Sequence, residues 1–169
     1  MMANRKRKKA LVLGIGNILL RDEGLGVRAI EYFEGHFSFG PDVVCLDGGT
    51  SGLGLLSYIE DYSHIIIVDA VAANGAPGKI FRIPGEEVQK WPALKPSTAH
   101  QIGLRDLLAI AKFQGLSPEL MIIGVIPKDI SVGLELTPEI KKAVPLAAKA
   151  IGEELQKFGF KIEAKKKHA

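Results

Sequence analysis

The chain has 169 residues, 47% of them hydrophobic and 24% charged, the size and apolar content of one globular domain with a substantial core. Its formal charge of +3 is unevenly placed, with +5 on residues 1–9 and +3 on residues 161–169, leaving −5 on residues 10–160. An acidic body disfavours a nucleic-acid-binding face, which needs basic residues grouped against the phosphate backbone, and a single cysteine, Cys45, excludes an internal disulfide and any multi-cysteine zinc site.

One α/β domain is therefore expected over residues 10–160, with 1–9 and 161–169 as basic, flexible tails. The start, RKRKK followed by ALVLGIGNILL, imitates the charged and apolar regions of a secretory signal. Gly14, Gly16 and Asn17 interrupt that apolar run, which leads into Arg21, Asp22 and Glu23 without a small-residue cleavage pattern. It also falls well short of the ~20 residues that span a bilayer. A cytoplasmic protein without membrane contact is expected.

ALVLG (10–14) reads as a first buried strand, followed by a helix from Glu23 to Glu34. VVCL (43–46) is a second strand, in which Cys45 reads as a buried core thiol. A helix over 51–60 leads to a third strand, HIIIVDA (64–70). These β-branched, nearly uninterrupted apolar runs suit strands covered on both faces, as in parallel sheets. GKIFRI (78–83) alternates instead, with Lys79 and Arg82 among Ile80, Phe81 and Ile83, and reads as an edge strand to which an antiparallel direction is open. Pro84, Pro92 and Pro96 mark a long surface loop before a helix over 98–113. MIIGVI (121–126) is a further strand. The last helix, 138–158, has the clearest start, with Thr137 as N-cap and Pro138 at the first helical position. Its apolar stripe is Ile140, Val144, Ala147, Ile151, Leu155 and Phe158, and Pro145 should kink it.

This β-α-β-α-β-β-α-β-α order predicts an open, twisted sheet between helix layers, in which ligands lie outside the carboxyl ends of the strands. There the first strand leads to GIGNILLRDEGLG, the second to DGGTSG, the third ends on Asp69, and a helix opens with STAHQIGL. Glu23, Asp47, Asp69 and His100 thus have the means to share one rim. Two carboxylates and an imidazole make a mixed oxygen and nitrogen site suited to a divalent first-row metal with open positions. His100, near a helix start, should stay neutral, the form that binds metal.

Each residue also has a plainer explanation. Glu23 suits the first turn of its helix on electrostatic grounds alone, and Asp47 in DGGT suits a turn. His100 taken singly is a satisfied surface or capping histidine more often than a ligand. Asp69, a carboxylate closing the run IIIV, is costly to bury without a partner, and capping and ligand roles stand about even for it. A lone DGGTSG lacks the second carboxylate of an aspartic-protease dyad, and no G-x-S-x-G elbow exists. Dinucleotide binding is disfavoured too. Leu19 replaces the third glycine of G-x-G-x-x-G, and Asp47 lies beyond the ~20-residue spacing of a ribose-binding acid.

Taken together, LVLGIGNILLRDEGLGV, LDGGTSGLGLL, IIIVDAV, TAHQIGLRDLL and GVIPKDISVGLELTPEI, in this order over most of residues 10–157, resemble the motifs of the nickel–iron hydrogenase maturation proteases. The resemblance implies a three-layer α/β/α sandwich with a five-stranded, mostly parallel mixed sheet. It also implies an endopeptidase that removes the C-terminal extension of a hydrogenase large-subunit precursor after nickel insertion. The family's metal-binding glutamate, aspartate and histidine fall on Glu23, Asp69 and His100, which would also carry the catalysis. Nickel would come with the substrate; no organic cofactor and no nucleic-acid partner are expected, and a monomer is. A non-catalytic nickel-checking or nickel-delivery protein is the alternative function, with a dinucleotide-binding oxidoreductase behind it.

Overall fold

The computed structural model describes residues 7–50, 56–90 and 108–166. Its elements are β1 (Ala10–Ile15), a 3-10 turn (Arg21–Gly24), α1 (Leu25–His36), β2 (Phe37–Phe39), β3 (Val43–Gly49), α2 (Leu56–Ile59), β4 (His64–Ala70), β5 (Ile80–Pro84), a second 3-10 segment (Gly85–Lys90), α3 (108–113), β6 (Glu119–Val125), α4 (Pro138–Lys157) and β7 (Ile162–Ala164). The expected helix over 51–60 is described from Leu56, and that over 98–113 from residue 108; their first parts lie outside the described residues.

Five strands form one sheet in the order β3-β1-β4-β6-β5. β1 pairs in parallel with β3 and β4, and β4 with β6, whereas β5 runs antiparallel to β6 at the edge. The alternation that marked β5 as an edge strand has a structural use. Arg82 crosses to α4, where Nη1 donates to Glu154 Oε1 at 2.9 Å and Nη2 pairs with Glu153. Glu154 is buried, and Lys157 Nζ also reaches its Oε1 at 2.9 Å. A charge inside the core is thus met by two cations.

The pleat sends successive strand residues to opposite faces, and both faces are apolar. Ala10, Val12, Ile66, Val68, Ile123 and Val125 pack with Leu25, Ala29, Ile30 and Phe33 of α1 and Ile140, Ala147 and Ile151 of α4. Leu11, Leu13, Ile65, Ile67 and Ile122 form the other core with Ile83, Ile59 of α2 and Ala111 of α3. This is the three-layer α/β/α sandwich with a mixed sheet that the sequence predicts. Burying each such Leu or Ile side chain contributes about 1.5–3 kcal/mol.

Three details depart from expectation. Residues 162–164, which composition assigns to a flexible tail, form β7 antiparallel to β2, and Lys165 N–H donates to the His36 carbonyl at 2.8 Å. The ordered body therefore runs past residue 160. Cys45 is only partly buried because β3 lies at the edge of the sheet, yet burial, with Glu34 nearby, pushes its thiol up to about 12, which makes it an unreactive side chain. Finally, Thr137 stands at the N-cap of α4 as predicted but gives it no side-chain cap.

At the amino-terminal end of the sheet, His64 packs against Phe158 and Phe160, and its Nδ1 lies 2.8 Å from Ser63 Oγ. Burial lowers its pKa, with Glu119 opposing and Lys8 adding to the shift. The unfolded chain then binds a proton that the folded one resists, so this contribution is complete above the ordinary histidine value of about 6.5 and is lost as pH falls below it. Tm should drop between about pH 7.5 and 5.5, and His64→Gln should flatten that drop in thermal melts. An unchanged slope would show that the pH dependence comes from other groups.

Candidate active site at the carboxyl ends of the strands

β1 ends at Ile15, and the chain turns through Gly16 at φ 137°, a conformation open to glycine. Gly16 N–H donates to the Gly49 carbonyl at 3.0 Å, tying this loop to the end of β3. Asn17 Oδ1 accepts from Leu19 N–H at 2.9 Å, and Leu20 N–H donates to the Asn17 carbonyl at 3.1 Å. Arg21, the one described non-glycine residue with positive φ (45°), then redirects the chain into the 3-10 turn that carries Asp22 and Glu23. α1 starts immediately afterwards and is pressed onto the sheet. A Cβ on Gly26 would lie 2.3 Å from the Val68 carbonyl oxygen and 2.5 Å from that of Ile15.

This close approach places Glu23 over the carboxyl ends of β1 and β4. The 3-10 turn contacts β4, whose sixth residue is Asp69, aligned with Gly124 of β6. Glu23 is 3% exposed and Asp69 2%. Alternation along β4 assigns Asp69 to the face of Ile65 and Ile67, the side covered by α2 and α3. Thus two of the three predicted site residues lie on touching elements at the predicted rim, both withdrawn from bulk solvent. The third, His100, and with it the expectation that it stays neutral at a helix start, lies outside the described residues. Among the described residues no three His, Cys, Asp or Glu side chains are grouped so as to hold an ion.

Asp47 has the turn role expected for it: it is exposed, and its Oδ1 accepts from Gly49 N–H at 2.8 Å. A residue the sequence reading passed over is Asp22, which is fully buried and accepts hydrogen bonds from Lys128, Asp129 and Thr137. Its donors lie more than a hundred positions away, so no local pattern announces them.

A family profile described as hydrogenase maturation protease matches residues 27–154. The chain belongs to the hydrogenase maturation protease family. It is 36% identical over 159 residues to the hydrogenase expression/formation protein HupD of Rhizobium leguminosarum bv. viciae, spanning 93% of this chain and 79% of that protein. It is 38% identical over 155 residues to the hydrogenase 2 maturation protease of Escherichia coli K12, spanning 89% and 93%. Among solved structures, the hydrogenase maturating endopeptidase HybD from E. coli superposes with a TM-score of 0.86 at 37% identity, covering 93% of this chain and 98% of that one.

This maturation protease is accordingly a peptidase. The close approach of α1 to the strands is made at Gly26, within the helix, while Leu19, in the place of a dinucleotide fingerprint's third glycine, is 56% exposed. Among the described residues no helix is long and apolar enough to cross a membrane.

Proposed function

We propose that this maturation protease removes the C-terminal extension of the nickel-loaded precursor of a nickel–iron hydrogenase large subunit, with Glu23, Asp69 and His100 engaging the nickel that the substrate carries. It acts in the cytoplasm, as a monomer and without an organic cofactor. The observation that supports this reading best is the burial of two carboxylates, Glu23 and Asp69, on touching elements at the carboxyl end of the sheet. Two carboxylates brought to the same rim offer the hard oxygen ligands that a divalent cation takes.

Two carboxylates and an imidazole match the preferences of a divalent first-row ion, for which nickel ranks high in affinity. Bound there, such an ion polarises a carbonyl or activates water. The protein's own part follows one of two routes. In the first, the three side chains hold the substrate's nickel so that the scissile bond stands beside it. In the second, nickel only positions the tail, and Glu23 or Asp69 takes a proton from the attacking water as general base. Either route makes cleavage conditional on metal loading, because an empty precursor offers these side chains nothing to hold.

Incubating the purified protein with nickel-loaded and nickel-free precursor tests the reading by mass spectrometry. Release of the C-terminal peptide from the loaded form alone is the expected result. A stable complex without release would identify a nickel-checking or delivery protein instead. In the same assay His100→Ala should lose processing while keeping its Tm; normal processing would remove His100 from the site.

A further inference from the structure

Asp22 accepts four hydrogen bonds, all from one distant loop. Its Oδ2 accepts from Lys128 N–H at 3.0 Å, Asp129 N–H at 2.9 Å and the Thr137 hydroxyl at 2.8 Å, and its Oδ1 accepts from Thr137 N–H at 2.7 Å. The backbone is laced across the same boundary. Asp22 N–H donates to the Asp129 carbonyl at 3.1 Å, Arg21 N–H to the Gly133 carbonyl at 2.9 Å, and Gly133 N–H to the Leu19 carbonyl at 2.9 Å. Arg21, held at φ 45°, faces Asp129 at 3.6 Å and lies close against Gly133, where a Cβ would meet its Nε at 2.9 Å.

A buried carboxylate that ties down a loop also stabilises a fold, and that alone is the simpler role. Two features point further. Asp22 immediately precedes Glu23 in the same short 3-10 turn, so whatever fixes Asp22 fixes the backbone from which Glu23 projects. And Thr137, at the N-cap of α4, makes no side-chain cap bond and gives its hydroxyl to Asp22 instead. The hydroxyl thus completes the clamp on the turn rather than the start of the helix. Sparsely populated backbone conformations such as that of Arg21 also gather where geometry is functionally constrained.

We propose that Asp22 is a positioning residue for peptide cleavage: by clamping the turn to residues 128–137 it sets where the Glu23 carboxylate stands relative to Asp69. This rests on the role given to Glu23 above. In Asp22→Asn one acceptor oxygen becomes an amide nitrogen facing backbone N–H groups, so the clamp cannot be fully remade. Thr137→Val is milder, removing the hydroxyl while leaving the three backbone donors. Thr137→Ser restores the hydroxyl.

The test measures steady-state cleavage of nickel-loaded precursor well below the Tm of each variant. Asp22→Asn should lower kcat by about tenfold to a hundredfold and leave KM within about threefold, as expected when a reacting group is misplaced by a fraction of an ångström to an ångström. Thr137→Val should show a smaller fall in kcat, and Thr137→Ser should recover it. A lower Tm with unchanged kcat in Asp22→Asn would reduce Asp22 to a structural tie, and a rise in KM alone would make it a substrate-binding element; either overturns the proposal. If Asp22→Asn does not fold, Thr137→Val decides, and a folded variant with full kcat overturns the proposal. Glu23→Gln run alongside separates the claims. Normal cleavage by Glu23→Gln sinks the role of Glu23 and the positioning claim with it. Lost cleavage there combined with full kcat in Asp22→Asn sinks the positioning claim alone.

Discussion

Glu23→Gln should abolish release of the C-terminal peptide from nickel-loaded precursor and shift Tm by no more than a few degrees. Glutamine keeps the size of the side chain and does not disturb the turn, whose shape depends on backbone bonds such as Glu23 N–H to the Leu20 carbonyl at 3.1 Å. What disappears is the charge, and with it both the proposed metal ligand and the proposed proton acceptor. Loss of a positioned general base alone costs about 10²–10⁴-fold in rate. Stability should not follow activity, because the isosteric amide keeps the side chain's volume at a position that is 3% exposed and the backbone holds the turn, so the change in Tm should stay within a few degrees. Peptide release by mass spectrometry and melting by circular dichroism read the two quantities separately. A variant that cleaves at the wild-type rate would exclude Glu23 from both proposed routes. A variant that loses activity only in step with unfolding would make it a structural acid. Asp69→Asn should behave in the same way, since Asp69 is equally buried at the end of β4.

The separation of activity from stability reflects how unevenly the sequence discloses this protein. Strands β1, β4 and β6 are legible because a strand covered on both faces must be apolar at every position, and runs such as IIIV meet that condition plainly. β5 is legible for the opposite reason: Arg82 interrupts its apolar residues, and an antiparallel edge strand tolerates that. β7 is not legible. Its residues, IEA, lie in a lysine-rich stretch whose charge suggests solvation, and its pairing with the three-residue β2 is a long-range event. Cys45 misleads because an apolar run does not state whether its strand lies at the centre or the edge of the sheet. Within the proposed site, the topological rule that strand ends converge anticipates that Glu23 and Asp69 lie buried at one rim. Asp22 escapes that rule: its neighbour explains the local D-E-G pattern equally well, and its partners Lys128 and Thr137 are 106 and 115 positions away.

The approach of α1 to the sheet is the packing feature on which the site depends most, and Gly26→Ala should expose it. The added methyl would lie 2.3 Å from the Val68 carbonyl oxygen and 2.5 Å from that of Ile15. Both obstacles are backbone atoms of adjacent strands, so no rotamer change relieves the clash. α1 must instead lift from β1 and β4, loosening Leu25, Ala29 and Phe33, all of which are fully buried. Overpacking on this scale should destabilise by about 3 kcal/mol or more, a fall in Tm of roughly 6–12 °C for a chain of this length. Gly35→Ala, on the same helix, provides the contrast. Nothing lies within 4 Å of a Cβ there, so the change should be neutral or stabilise by up to about 1 kcal/mol through helix propensity. If both variants melted alike, the glycine would not be what permits the close approach. Because Glu23 lies three residues before Gly26, lifting α1 also carries it away from Asp69. Gly26→Ala should therefore cleave slowly even at temperatures where it remains folded, whereas a variant destabilised elsewhere to the same extent should keep its rate.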